Sequence, residues 1–295
     1  MTEQELFTMV GIRPEPSAPK KKKRRRKGFP WASVIFMAFI ILCCLFAEAL
    51  MTKDPSYLDL KNFNVAPNAE FLFGTDALGR DIFSGIWYGG RISITIGFLA
   101  TFVSTLIAVV YGSISGIGPQ WLDSLMMRFT EIFLSVPGLL LVLFLQAILG
   151  EANVLTLSIV IGMTSWAGIA KIIRTEVRQI RNSEYVMASK CMGGGFYHIL
   201  RKHLTPNFIA SIMFMVVMNV RSAIGAESTL SFMGMGLPLE IISWGSMLSL
   251  AENALLTDSW WIVLIPGVFL VTFLLCLTNI GNFLRKYVNR KESNL

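Results

Sequence analysis

Apolar runs dominate the chain, and they break at regular intervals. Stretches approaching the ~20 residues that a helix needs to cross a bilayer lie at Trp31–Met51, Ile92–Ser115, Ile132–Leu149, Leu155–Ala170, Phe208–Ala226 and Trp260–Leu284. This pattern predicts an all-α membrane protein of about six transmembrane helices. The first stretch starts late, is long, lacks a small-residue cleavage site and is followed by further apolar segments, so it is expected to remain as a helix rather than be removed as a signal peptide. Pro137-Gly138 and Pro266-Gly267 are expected to interrupt two of the spans.

Between the fourth and fifth stretches lies a polar segment, SEYVMASKCMGGGFYHILRKHLTPN, from Ser183 to Asn207. Asn182 or Ser183 can cap a helix, Glu184 suits its N-terminal end, and Gly193, Gly194 and Gly195 stop it. A second short helix over Phe196–His203 ends at Pro206. Tyr185, Ala188 and Met192, at i, i+3 and i+7, form a narrow apolar ridge. Two surfaces would cover such a ridge: the protein's own helix ends, or a separate docking partner.

Charge orients the spans. Basic residues of short loops stay in the cytoplasm, and the run KKKKRRRK at 20–27 precedes the first span. Those eight charges exceed the chain's net +7, leaving the remainder at −1, so the run is read as a topogenic, lipid-facing cluster and not as a nucleic-acid patch. Lys171, Arg174, Arg178, Arg181, Lys190, Arg201 and Lys202 crowd the fourth-to-fifth connection, whereas 233–259 contains no Lys or Arg. Both termini and the 183–203 segment are therefore expected in the cytoplasm of a multi-pass membrane protein. The expected organisation is a basic tail (1–30), a first span with its outer loop (31–90), a core of five spans with the polar loop 171–206 (91–285), and a short tail (286–295).

A mean hydropathy of +0.59 and 15% charged residues exclude an ordinary soluble globule. The chain has no G-x-x-x-x-G-K-[ST] phosphate loop and no Ser/His/Asp or Cys/His set, so it is not expected to be an enzyme. His198 and His203 lack a third ligand at metal spacing and are read as interfacial residues; Cys43, Cys44, Cys191 and Cys276 suggest no disulfide framework. Ionisable or polar residues at membrane depth are costly, which makes Glu131, Asn219, Arg221 and Glu227 candidates for a transport path; Glu131 and Glu227 also sit near span ends, where water reaches them. In the first outer loop, Gly74, Asp76, Gly79, Arg80 and Asp81 are rich in turn-formers and acids. The following Phe83–Tyr88 reads as an interfacial helix with Trp87 and Tyr88 at headgroup depth, packed with the loop against span ends.

The run EYVMASK, CMG, ten further residues and LTPN resembles the EAA loop of permease subunits of bacterial ATP-binding-cassette importers. Gly193 and Pro206 fall in register, Ala188 and Ser189 fill the two alanine places, and Met187 stands where the pattern has glutamate. FGTDALGRDIFSGIWYGGRISITIG (73–97), MMRFTEIFLSVPGLLLVL (126–143), WAGIAKIIRTEV (166–177) and ESTLSFMGMGLP with SWGSML (227–248) are similar to the second permease of peptide and nickel importers. The resemblance implies a type I importer permease fold in which Glu184, Tyr185, Ala188, Ser189, Met192, Gly193 and Pro206 form a cytoplasmic coupling helix. It also implies a second, homologous permease, two ATPase subunits that hold the ATP and magnesium, and an extracytoplasmic solute-binding protein, with no cofactor on this chain. Peptide is the expected substrate and a nickel or other metal chelate the alternative; an ion-driven secondary transporter and a non-transport scaffold are more distant ones.

Overall fold

The computed structural model describes residues 29–181, 192, 205–250, 254 and 257–292. Among them the chain is helical, apart from one isolated bridge between Thr75 and Asp81. The helices are α1 (Trp31–Leu45), α2 (Ala47–Leu50), α3 (Ile82–Ile117), α4 (Gln120–Ser135), α5 (Gly138–Leu149), α6 (Val154–Arg181), α7 (Thr205–Phe232), α8 (Trp244–Ser249) and α9 (Trp261–Glu292). The six apolar stretches fall on α1, α3, the α4–α5 pair, α6, α7 and α9. By length and apolarity α3, α6 and the Trp261–Lys286 part of α9 can each cross a membrane, and α4 with α5 makes a fourth if the pair is one span.

Helix α3 organises the rest. Asp81 caps its start by accepting from the Ser84 amide, and Gly118-Pro119 ends it. Its 36 residues extend over about 54 Å at 1.5 Å per residue, well beyond the ~30 Å of a hydrocarbon core. Phe83–Tyr88 are therefore the first turns of this long helix. The expected separate interfacial helix is corrected accordingly: Trp87 is 6% exposed and sits among Phe39, Phe83 and Phe269, because the adjacent loop and α9 cover it.

Helix α6 runs parallel to α3, and small residues set their spacing. A Cβ on Gly112 would lie 2.7 Å from the Ala170 carbonyl, one on Gly116 2.8 Å from Val177, and one on Gly162 2.8 Å from the Ala100 carbonyl. The two backbones thus approach as closely as missing side chains permit, which is how helices gain packing energy where the hydrophobic effect is absent. Helix α7 runs antiparallel to α3, with Ser93 beside Glu227 and Ser104 beside Asn219. Helix α1 lies antiparallel to α9, where Phe29 meets Phe283 and Ser33 accepts from Asn279. The opposite flank of α3 carries Phe98, Phe102, Leu106 and Val110, four residues apart and all exposed, a stripe suited to lipid or a partner helix.

Two proline expectations diverge. At Pro137 the helix does break: Val136 is extended (φ −85°, ψ 130°), as residues before proline prefer, and α4 and α5 meet at 89°. The apolar stretch Ile132–Leu149 is thus divided at Pro137 between the end of α4 and α5, as its Pro-Gly pair leads one to expect. Pro266 does not interrupt α9, which continues through it without the ladder bond to the Ile262 carbonyl that a residue with an N–H would make.

Candidate translocation and coupling site

The bundle has two polar ends. One carries the loop from Thr52 to Asp81, the start of α3, α8 and the start of α9. The outer loop is tied down there by backbone-directed bonds. Asp76 Oδ1 accepts from the amides of Leu78 and Arg80, both at 2.8 Å, Thr75 Oγ1 accepts from the Val65 amide, and Gly74 and Gly79 take the left-handed conformation (φ 77° and 75°). A side chain at Gly79 would collide with the Asp59 carbonyl. Trp261 Nε1 donates to the Thr75 carbonyl at 3.1 Å, and Arg80 Nη1 to the Leu239 carbonyl at 2.8 Å. Asp81 Oδ2 accepts from Ser84 and from Thr52 Oγ1. Burial pushes the Asp76 carboxyl above the usual aspartate range, against the lowering effect of the two amides and Arg80.

Below this loop sits Glu227, fully buried. Its Oε1 accepts from Ser243 Oγ (2.7 Å) and Ser231 Oγ (3.0 Å), and its Oε2 from Ser93 Oγ (3.1 Å) and Ser228 Oγ (3.3 Å). Ser243 is also the N-cap of α8 and makes a capping box with Ser246. Ser93 accepts from the Trp244 amide, and the Trp244 indole donates to the Ile86 carbonyl at 2.9 Å. Gly245 permits this closeness, since its Cβ would lie 2.6 Å from Ser228 Cα. Glu227 is thus the hub joining α3, α7 and α8. Expected from sequence as a candidate path residue, Glu227 is held in this structure away from any cavity among the described residues, with hydroxyl donors of the chain itself around its carboxyl group.

The other three path candidates are dispersed, and no hydrogen bond among the described residues joins any of the four to another. Asn219 is nearly buried and donates to Ser104 Oγ. Arg221 is half-buried with its Nε unmatched. Glu131 lies on the open face of α4, where Arg128 reaches it at 3.4 Å.

The opposite end gathers the C-termini of α3, α6 and α9 with the N-termini of α1, α4 and α7. Asp123 on α4 is 5% exposed at its side chain and receives Arg174 through two guanidinium nitrogens, Arg178 at 2.8 Å and Ser115 Oγ at 2.6 Å. Arg181 donates to the Ile117 carbonyl at 2.7 Å. Three elements therefore meet on one carboxylate. Sequence reading had treated Arg174 and Arg178 only as topology signals; their i, i+4 spacing was visible, but their partner, 51 and 55 residues away, was not. Of the expected coupling residues, Glu184, Tyr185, Ala188, Ser189 and Gly193 lie outside the described residues. Met192 is highly exposed, and Pro206 stands in the first turn of α7.

A family model described as "binding-protein-dependent transport system inner membrane component" matches residues 108–293. The chain belongs to that family. It is 34% identical over 270 residues to the dipeptide transport system permease protein DppC of Bacillus subtilis (92% of this chain, 84% of the relative). It is 38% identical over 267 residues to the oligopeptide transport system permease protein OppC of the same organism (90% and 87%). It is also 35% identical over 274 residues to OppC of Haemophilus influenzae (92% and 88%). Among solved structures, an inward-facing form of the MetNI methionine ABC transporter superposes with TM-score 0.56 at 16% identity, covering 69% of this chain and 96% of that one. This places the permease on the type I importer fold.

Proposed function

We propose that this permease forms half of the translocation path of an ATP-driven importer for di- or oligopeptides, with the other half supplied by a homologous permease. Of two separate ATPase subunits, which hold the ATP and magnesium, one docks on the segment 182–204, and an extracytoplasmic binding protein delivers substrate to the end carrying the 52–81 loop. The observation that carries this reading is the placement of α6: its basic last turns lead directly into 182–204, at the same end as the terminal helices' outer ends. The positive-inside rule puts that end in the cytoplasm. Peptide is favoured over a nickel chelate by the named substrates of the most similar relatives quoted above.

The test is reconstitution of the chain with its partner permease, ATPase subunits and binding protein in proteoliposomes. ATP-dependent accumulation of a labelled peptide, not displaced by a nickel chelate, is the expected result. Uptake by this chain alone in response to an ion gradient would refute the reading. Labelling of a cysteine introduced at Asn182 only from the cytoplasmic side checks the orientation.

A further inference from the structure

Helix α4 is poorly attached for its length. Trp121, Leu125, Phe129 and Ile132 are all exposed on it, and two polar links hold it to the bundle. One is the Asp123 cluster. The other is the Tyr111 hydroxyl, which donates to the Met126 carbonyl at 2.6 Å and accepts from Thr130. By contrast, the ends of α3 and α6 are locked together by the glycine contacts at 112 and 116 and by Arg181 on Ile117. The end of α6 therefore cannot move without α3, and α4 is tied to that pair by its polar links, by the Phe133–Trp166 ring contact and by the short Gly118-Pro119 connection.

We propose that Asp123 is a positioning residue that passes displacement of the 182–204 segment to α4 and, beyond the bend at Pro137, to α5. The proposal rests on the reading that 182–204 receives the ATPase stroke. Its physical basis is the geometry of the joint. A two-nitrogen contact from Arg174 fixes direction as well as distance, and the second guanidinium of Arg178, one turn later, resists rotation about the first. Both cations lie on α6 and the single anion on α4, so among the described residues Asp123 is the polar joint through which a push along α6 reaches α4, beside the apolar Phe133–Trp166 contact. Removing the anion leaves two guanidinium groups side by side on α6 with no counter-charge on α4, so the attraction that joins the two helices is lost.

The test uses the full complex in proteoliposomes with Asp123→Asn and Asp123→Glu. The amide keeps the volume and can still accept from Ser115, but it cannot neutralise two arginines. The Asn variant is expected to co-purify with the ATPase subunits and to hydrolyse ATP near the wild-type rate, while peptide transported per ATP falls roughly five- to tenfold. The Glu variant should restore most of that ratio. Uptake and hydrolysis falling in proportion, or an unchanged ratio, would overturn the proposal by making Asp123 a static brace or dispensable. A second measurement stands if the Asn variant assembles poorly: in the wild-type complex, trapping nucleotide should change amide exchange over 120–135 together with 171–181. An α4 indifferent to nucleotide overturns the proposal equally. A wild-type complex that shows no ATP-driven uptake at all fails at the earlier step, the proposed function, and is distinguishable on that ground.

Discussion

Replacing Glu227 by alanine isolates the value of the serine cradle. The substitution removes the acceptor of four hydroxyls, but they are not equally stranded. Ser93 retains the Trp244 amide, Ser243 the Ser246 amide and Ser231 the Leu237 amide as donors to their oxygens. What each loses is the partner for its own proton. The two shortest bonds, from Ser243 and Ser231, make up most of the loss. A buried group left without a partner costs about 1–3 kcal/mol, and the vacated volume adds a cavity term. The combined destabilisation is on the order of 4–6 kcal/mol, or roughly 8–15 °C in the unfolding midpoint for a chain of this size. Glu227→Gln keeps the shape and one acceptor oxygen, and its amide can donate to reoriented hydroxyls, so about 1–2 kcal/mol is expected. The assay is the thermal midpoint of detergent-purified protein followed by size-exclusion recovery, with all variants heated at one rate. A Gln variant as damaged as the Ala variant, or an Ala variant within ~2 °C of wild type, would refute the hub role.

Further outcomes follow from the same geometry. Gly112→Val drives a branched side chain into the Ala170 carbonyl and is expected to cost several kcal/mol, whereas Gly168→Ala, with open space at its Cβ, should be neutral or slightly stabilising; recovery of folded protein after heating distinguishes them. Gly79→Ala combines a left-handed backbone with a collision at Asp59 and should release the outer loop, read as new protease cleavage or fast amide exchange within 52–81. Asp76 has a raised folded pKa, so the folded state binds its proton more tightly than the unfolded state does. Its contribution is therefore fully present below the ordinary aspartate value and is lost as pH rises through the folded one. Asp76→Asn, which can still accept from Leu78 and Arg80, should match or exceed wild type in midpoint at pH 7 and should flatten the decline above pH 4; a variant markedly less stable than wild type at pH 7 would contradict this.

What the sequence disclosed depended on the range of the interaction. Apolar runs of spanning length are a local property, so the helices and their order were legible, as was the turn-rich character of 74–81; the Asp81 cap that starts α3 at Ile82 was not. The break at Pro137 was readable because proline acts on its immediate neighbour, but its 89° consequence depends on what the two halves pack against. Glu227 stands out in the sequence as an ionisable residue within an apolar stretch, but its four hydroxyl partners do not. The rule that a buried charge marks a path assumes no nearby donors, and Ser93 and Ser243, 134 and 16 residues away, supply them. Trp87 misled for a related reason: its interfacial preference was overridden by Phe39, Phe83 and Phe269, contributed by three different helices. The Asp123 joint shows the same limit from the other side, since nothing near Asp123 in sequence announces two arginines.

The pairing of the chain's beginning with its end has a consequence for biogenesis. Phe29 rests on Phe283, Ser33 on Asn279, Thr75 on Trp261 and Asn64 on Thr257, pairs separated by up to 254 residues. A ribosome emits these partners many seconds apart at ~5–20 residues per second. During that interval α1 and the aromatic face around Trp87 wait in the bilayer without α9, the helix that completes their packing. Translation arrested or truncated before residue 261 would leave a nascent permease whose first helix has only its α3 contact, through Phe39 and Trp87, and would present the membrane's quality-control proteases with an N-terminal pair lacking the helix that closes it.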